Sequence, residues 1–163
     1  MKKILLISDT HGYIDEKIIK YANKVDEIWH AGDIGDISVT DKLKKIKPLR
    51  GVYGNIDDQK IRTEFPLHNR FICEKVNVWI THIGGYPKRY NPKILEELKS
   101  NPPDLFICGH SHILKVINDK ELDLLHMNPG AIGKHGLHRV RTMIQFEING
   151  KKIENLSVIE FKR

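Results

Sequence analysis

Ile4, Leu5, Leu6 and Ile7 form an unbroken apolar run that stops at Ser8 and Asp9. A run without apolar–polar alternation needs cover on both faces, which suits a strand inside a parallel sheet. Residues 26–31 and 49–53 repeat the pattern, and each run meets a glycine, Gly32 or Gly54. Between these strands, residues 15–23 with Ile14, Ile18, Ile19 and Ala22 show helical spacing. Residues 40–47 read as a lysine-rich surface helix stopped by Pro48. Such a βαβαβ series predicts a parallel sheet with helices packed on it.

The second half changes character. Residues 70–74 and 76–81 read as an antiparallel pair with a turn near 75–77, and Pro92 opens a helix through Lys99. Residues 105–108 form a short buried strand, and 113–117 and 122–125 flank a hairpin turn at Asn118, Asp119 and Lys120. Residues 142–148 alternate, and Asn149-Gly150 is a strong turn signal before a last strand at 153–161. The expectation is an α/β sandwich of two facing sheets with helices outside. At 163 residues, without linker, repeat or low-complexity tract, residues 1–163 read as one domain.

The formal charge of +6 invites a nucleic-acid reading. The lysines are scattered, however, and no aromatic–basic alternation marks a strand-binding face. Nucleic acid is therefore not expected as the main partner, whereas a pocket that takes anions is. The four apolar residues after Lys3 are too few for a signal sequence. No stretch approaches the ~18 apolar residues of a membrane span, so a cytoplasmic enzyme is expected. Cys73 and Cys108 lie in apolar runs and read as buried free thiols, and no CxxC suggests redox chemistry or a thiolate zinc site.

Seven residues carry the chemistry. Asp9 and His11, Asp33, Asn55, His82, and His110 with His112 each follow an apolar run and sit beside a turn residue or glycine. Extended backbone puts residues i and i+2 on the same side, so each Asp-x-His or His-x-His pair is expected to aim at one point. A carboxylate such as Asp33 can bridge two cations, and the Asn55 amide oxygen is a neutral ligand. Taken singly, any of these residues is a turn-former, a cap or an ordinary surface side chain. Jointly, the coincidence would have to repeat at every strand end, and the mixed N/O set suits a pair of divalent transition ions. Two such ions form a clamp for displacement at phosphorus.

The ordered set Asp9-x-His11, Gly32-Asp33, Gly54-Asn55, Thr81-His82 and Gly109-His110-Ser-His112 resembles the calcineurin-like metallophosphoesterases over almost the whole chain. The chain's size and Asn128-Pro129-Gly130 are similar to the small YfcE-type phosphodiesterases, a group that includes a eukaryotic retromer subunit with little catalysis left. The resemblance implies a four-layer αββα sandwich of two mixed sheets with metals at the strand ends. It implies that Asp9, His11, Asp33 and His112 hold one ion, and Asp33, Asn55, His82 and His110 the other. Mn²⁺ is the first choice, with Fe, Zn, Ni and Co as alternatives. The implied reaction is phosphodiester or monoester hydrolysis of a small phosphorylated molecule by a water held between ions ~3.5–4 Å apart. Asp33, Asn55 and His82 would also orient water and phosphate.

One position departs from the pattern. Many relatives carry a proton-donating histidine after the asparagine, where this chain has Ile56. The general acid is thus unassigned, and poor leaving groups should suffer most. His135 and His138 are candidates to stand in or to bind substrate, with Arg139 and Arg141 as candidate phosphate clamps; Arg141 reads equally as a strand-edge charge. His30 reads as support or packing, and Asp36 as a ligand-orienting group or a turn residue. Trp29 and Trp79 read as core, and His68 and His126 are given no role. A non-catalytic metal-binding scaffold and a metal-dependent nuclease remain as alternatives, and a homo-oligomer is compatible with the sequence.

Overall fold

The computed structural model describes residues 1–163. In chain order the elements are β1 (Lys2–Ile7), α1 (Glu16–Ala22), β2 (Glu27–His30), α2 (Ile37–Lys44), β3 (Leu49–Gly51) and α3 (Gln59–Glu64). They continue as β4 (His68–Cys73), β5 (Val76–Thr81), β6 (Gly85–Tyr86), β7 (Arg89–Tyr90), α4 (Pro92–Ser100), β8 (Leu105–Ile107), β9 (Leu114–Asp119), β10 (Leu124–Pro129), β11 (Val140–Asn149) and β12 (Lys152–Lys162). One sheet has the order β12-β11-β1-β2-β3 and the other β4-β5-β8-β10-β9. Both are mixed: β1, β2 and β3 run parallel, as do β5, β8 and β10, while β11, β12, β4 and β9 pair antiparallel.

The apolar run in β1 is explained by its place. Ile4 and Leu6 join the core between the sheets, against Val78, Ile80, Leu105 and Ile107. Leu5 and Ile7 point the other way, into a second core with Ile18 of α1, Val39 and Leu43 of α2, and Ile61 of α3. On the far side Trp79 and Phe106 pack against Ile94 and Leu98 of α4. Four layers result, helices on both outer faces of two sheets. Each fully buried side chain of this size contributes about 1.5–3 kcal/mol.

Several boundaries differ from expectation. Helix α2 starts earlier because the Asp36 carboxylate accepts from the Ser38 amide at 2.8 Å and caps it. Helix α3 was not expected; it has one buried apolar residue, Ile61, and depends on its Asp58 cap. The hairpin turn at Asn118, Asp119 and Lys120 lies later, because Asp119 stays paired in β9 opposite Leu124 while its carboxylate accepts from Glu121 and Leu122 amides. Trp29 and Trp79 are core, and both cysteines are free and buried. No helix is long and apolar enough to cross a membrane.

Candidate metal centre

All seven ligand-type residues lie just past the C-terminal ends of parallel strands: Asp9 and His11 after β1, Asp33 after β2, Asn55 after β3, His82 after β5, and His110 and His112 after β8. Ligand sites of α/β sheets gather at such ends. The two sheets meet there, since His82 Nε2 from one lies 3.2 Å from Asp33 Oδ1 of the other.

Asp9, His11 and His112 bring one donor atom each within 4.8 Å of one another, and Asp33, His82 and His110 do the same. Asp33 divides its oxygens between the groups, with Oδ2 3.4 Å from His11 Nε2 and Oδ1 3.2 Å from His82 Nε2. Asp9 Oδ1 lies 3.1 Å from His112 Nε2 and 3.8 Å from the Nε2 atoms of both His11 and His82. Asn55 and His82 line one cleft, which adjoins the second group.

The second polar atoms of Asp9 and His82 are committed elsewhere. Asp9 Oδ2 accepts from Ser8 Oγ at 2.6 Å and from the His110 amide at 3.1 Å. His82 Nδ1 donates to the Ala31 carbonyl at 2.7 Å, because a carbonyl can only accept, and this turns the Nε2 lone pair inward. Asp9 Oδ1, His11 Nε2 and His82 Nε2 are left buried with no hydrogen-bond partner. An orphaned buried polar atom costs about 1–3 kcal/mol. Asp9 Oδ1 and His11 Nε2 belong to one donor group and His82 Nε2 to the other, so each group offers an unpartnered buried atom to a divalent cation, and imidazole with carboxylate is the donor set for one.

The electrostatics agree. Burial alone would raise the Asp9 carboxyl, but His11 and His112 hold it well below the usual carboxylate range. Asp33 is lowered against burial by His82. Burial opposes the charged form of His82, yet Asp33 and Asp9 raise that ring. The ionised carboxylates therefore hold a place for positive charge.

The local backbone differs from the extended geometry expected for the i, i+2 pairs. Asp9, His11, Asp33, His110 and His112 have φ of 53°, 45°, 54°, 72° and 61°, all left-handed. Such a conformation costs a non-glycine residue on the order of 1–3 kcal/mol. Convergence thus comes from strained turns past the strand ends, not from the pleat. Gly54 and Gly109 let these turns close: a Cβ on Gly54 would meet Asp33 Oδ1 at 2.0 Å, and one on Gly109 would meet Ser8 Oγ at 2.2 Å.

Asp57 carries a role that sequence reasoning missed. Its carboxylate accepts from the amides of Gly54 (2.8 Å), Ile34 (3.1 Å) and Gly35 (2.7 Å), locking the Asp33 turn to the Asn55 turn. The acidic residue two positions after Asn55 was the available signal. Buried His30 accepts from the Gly32 amide at Nδ1, so its Nε2 carries the proton facing Thr10 Oγ1 at 3.0 Å. It is a packed support, and burial pushes it down to about 4.

The loop after β10 meets the centre unevenly. The His135 ring stacks on His11 at 4.7 Å between centroids. His138 lies 5.2 Å from the His112 ring and donates Nε2–H to the Gly133 carbonyl at 2.8 Å. Arg139 is exposed at the rim of this loop. Arg141 is neither a clamp nor a solubilising charge: it is buried, donating to the Ile132 carbonyl at 2.7 Å and to Asp15 at 3.0 Å. Ile56 is exposed, and its amide donates to Asp33 Oδ1 at 3.2 Å.

Known proteins share this fold. Residues 1–151 match the family model of the calcineurin-like phosphoesterase superfamily domain. A probable metallophosphoesterase of Methanocaldococcus jannaschii is 31% identical over 134 residues, which are 77% of this chain and 66% of that protein's length. In structure, Vps29 of Chaetomium thermophilum superposes with a TM-score of 0.77 at 20% identity, covering 99% of this chain and 97% of that one. A structure described as a novel archaeal phosphodiesterase gives a TM-score of 0.70 at 22% identity, over 96% and 99%. The match over residues 1–151 means that the chain belongs to the calcineurin-like phosphoesterase superfamily.

Proposed function

We propose that the protein is a metal-dependent phosphodiesterase, with some monoester activity, acting on a small phosphorylated molecule. The observation that carries this reading is Asp33, whose two oxygens face two separate donor groups at 3.4 and 3.2 Å. Asp9, His11, Asp33 and His112 would hold one divalent ion, and Asp33, Asn55, His82 and His110 a second. The mixed N/O set makes Mn²⁺ the first choice over Fe, Zn, Ni or Co. Such a pair, when bound, polarises the phosphoryl oxygens and makes a water acidic enough to attack in line.

The chain's own residues do the rest. His82 keeps its Nε2 available because Ala31 holds the opposite nitrogen. The Asn55 amide, on a turn tied down by Asp57, orients a phosphoryl oxygen. His135, stacked over His11, and exposed Arg139 are assigned to substrate contact, while His138 positions the loop through Gly133. Ile56 has no proton to give, so a leaving group that departs as a stable anion is favoured.

The test pairs metal analysis with kinetics. Purified protein should take up about two Mn²⁺ per chain and hydrolyse bis(4-nitrophenyl) phosphate, and Asp33→Ala or Asn55→Ala should abolish hydrolysis. Ile56 favours a second reading, the non-catalytic scaffold. Loaded protein that is inert with Mn, Ni and Co would establish that reading instead.

A further inference from the structure

A cleft of about 340 Å³ opens directly beside the donor group, sharing Asn55 and His82 as walls. This is within the ~300–1,000 Å³ range of small-molecule sites. Its body is apolar, from Tyr53, Leu67, Ile83 and Ile94. Its charged side chains are Arg62 and Lys93, and no aspartate or glutamate lines it. Most other polar groups are spent. Asn91 donates to the Ile83 carbonyl and caps α4, and Thr81 donates to the Leu67 carbonyl.

The two cations differ in how free they are. Arg62 stacks over Tyr53 at 4.7 Å and donates to the carbonyls of Asp57 and Asn55, so it braces the Asn55 turn while its charge meets no carboxylate. Lys93 is exposed at the first turn of α4 and enters no ion pair. An apolar chamber with unbalanced positive charge, adjoining a phosphate-reactive centre, selects for shape and charge together.

We propose that this cleft receives the second arm of the phosphodiester, and that the arm it fits has a compact aromatic or apolar body carrying a further negative charge read by Lys93. The proposal rests on the hydrolase reading above and adds a substrate class to it. The body lies among Leu67, Ile83 and Ile94, and the distal anion faces the Lys93 ammonium at the mouth. Diesters with a short neutral arm leave the cleft unfilled and gain nothing from it.

The test uses a matched pair, 4-carboxyphenyl 4-nitrophenyl phosphate and its 4-carbamoylphenyl counterpart, with methyl 4-nitrophenyl phosphate as the short-armed reference. In Mn²⁺-loaded wild type the carboxylate arm should lead the carboxamide arm in kcat/KM by about two- to fivefold, since one exposed charge pair supplies no more. Lys93→Met should bring that ratio to about one, and Lys93→Glu should invert it. Leu67→Trp, which fills the chamber from an exposed position, should raise KM for the aryl arms relative to the methyl ester. Calorimetric binding of the products 4-carboxyphenyl phosphate and 4-carbamoylphenyl phosphate reads the same preference without turnover. Hydrolysis of all three diesters with the same acid-to-amide ratio in wild type and both Lys93 variants overturns the cleft and leaves the hydrolase standing. Loss of hydrolysis with every metal, while product binding still depends on Lys93, overturns the hydrolase and leaves the cleft.

Discussion

His126 should limit the stability of this protein in acid, and replacing it with leucine should remove that weakness. The ring is fully buried in β10, near Phe106 and Tyr90 with centroid distances of 6.0 and 6.4 Å. Neither ring nitrogen has a hydrogen-bond partner, and the approach to the Phe106 backbone falls short of one. Burial, seconded by the Lys115 charge, pushes the ring from 6.5 down to about 4. Tyr90 offers no relief, because its hydroxyl is given to Asp119 at 2.6 Å. At pH 7 the ring is neutral in both states, and His126→Leu should gain about 1–3 kcal/mol by removing unpaired polar atoms from the core. A group depressed in the folded state costs stability as pH falls below its unfolded value, because the unfolded chain takes the proton first. At pH 5 that adds about 2 kcal/mol to the penalty in wild type, from the 6.5 and 4 values. The variant escapes it, so its advantage should widen to about 3–5 kcal/mol. His30, depressed likewise, keeps its own acid sensitivity in both proteins. Urea unfolding of metal-free protein at pH 7 and pH 5 measures the two differences. An advantage that is the same at both pH values, or a variant less stable than wild type at pH 7, refutes the reasoning.

Gly54→Ala drives a Cβ to within 2.0 Å of Asp33 Oδ1 and 2.3 Å of its amide. It should weaken metal uptake by about 10–100-fold or more and lower stability as well, because the Asp33 backbone must move along with the carboxylate; unchanged affinity by competition with a fluorescent chelator would contradict this. Ile56→His, at an exposed rim position, should raise turnover of alkyl-leaving diesters by about 10²-fold or more and of nitrophenyl diesters far less. An equal gain on both would remove proton delivery as the reason for the present preference.

Particular residues show how far the chain can be read unaided. The run from Ile4 to Ile7 needed cover on both faces, and it sits between two cores. Asp9, His11, Asp33, His82, His110 and His112 were recognisable because each follows a strand, and strand ends are written locally in apolar runs and glycines. The turn geometry behind their convergence was not legible. Left-handed φ occurs at five of those residues alongside contacts such as the His110 amide on Asp9, 101 positions away in sequence. Arg141 was misread for the same reason, since its carboxylate partner Asp15 is 126 residues distant. Helix α3 escaped because a six-residue segment with one buried apolar side chain has no period to detect.

The sequence by itself determined the superfamily, through its ordered motifs, and the layered α/β plan, because local hydrophobic period is sufficient for the latter. Only the tertiary structure decided which oxygen of Asp33 faces which histidine, that Asp57 locks two turns together, and that Arg141 belongs to the core. It also opened an acid-free cleft between the Asn55 turn, β5 and the start of α4. These are relations between segments far apart in the chain, and no local pattern encodes them: they exist only once two sheets have been pressed face to face.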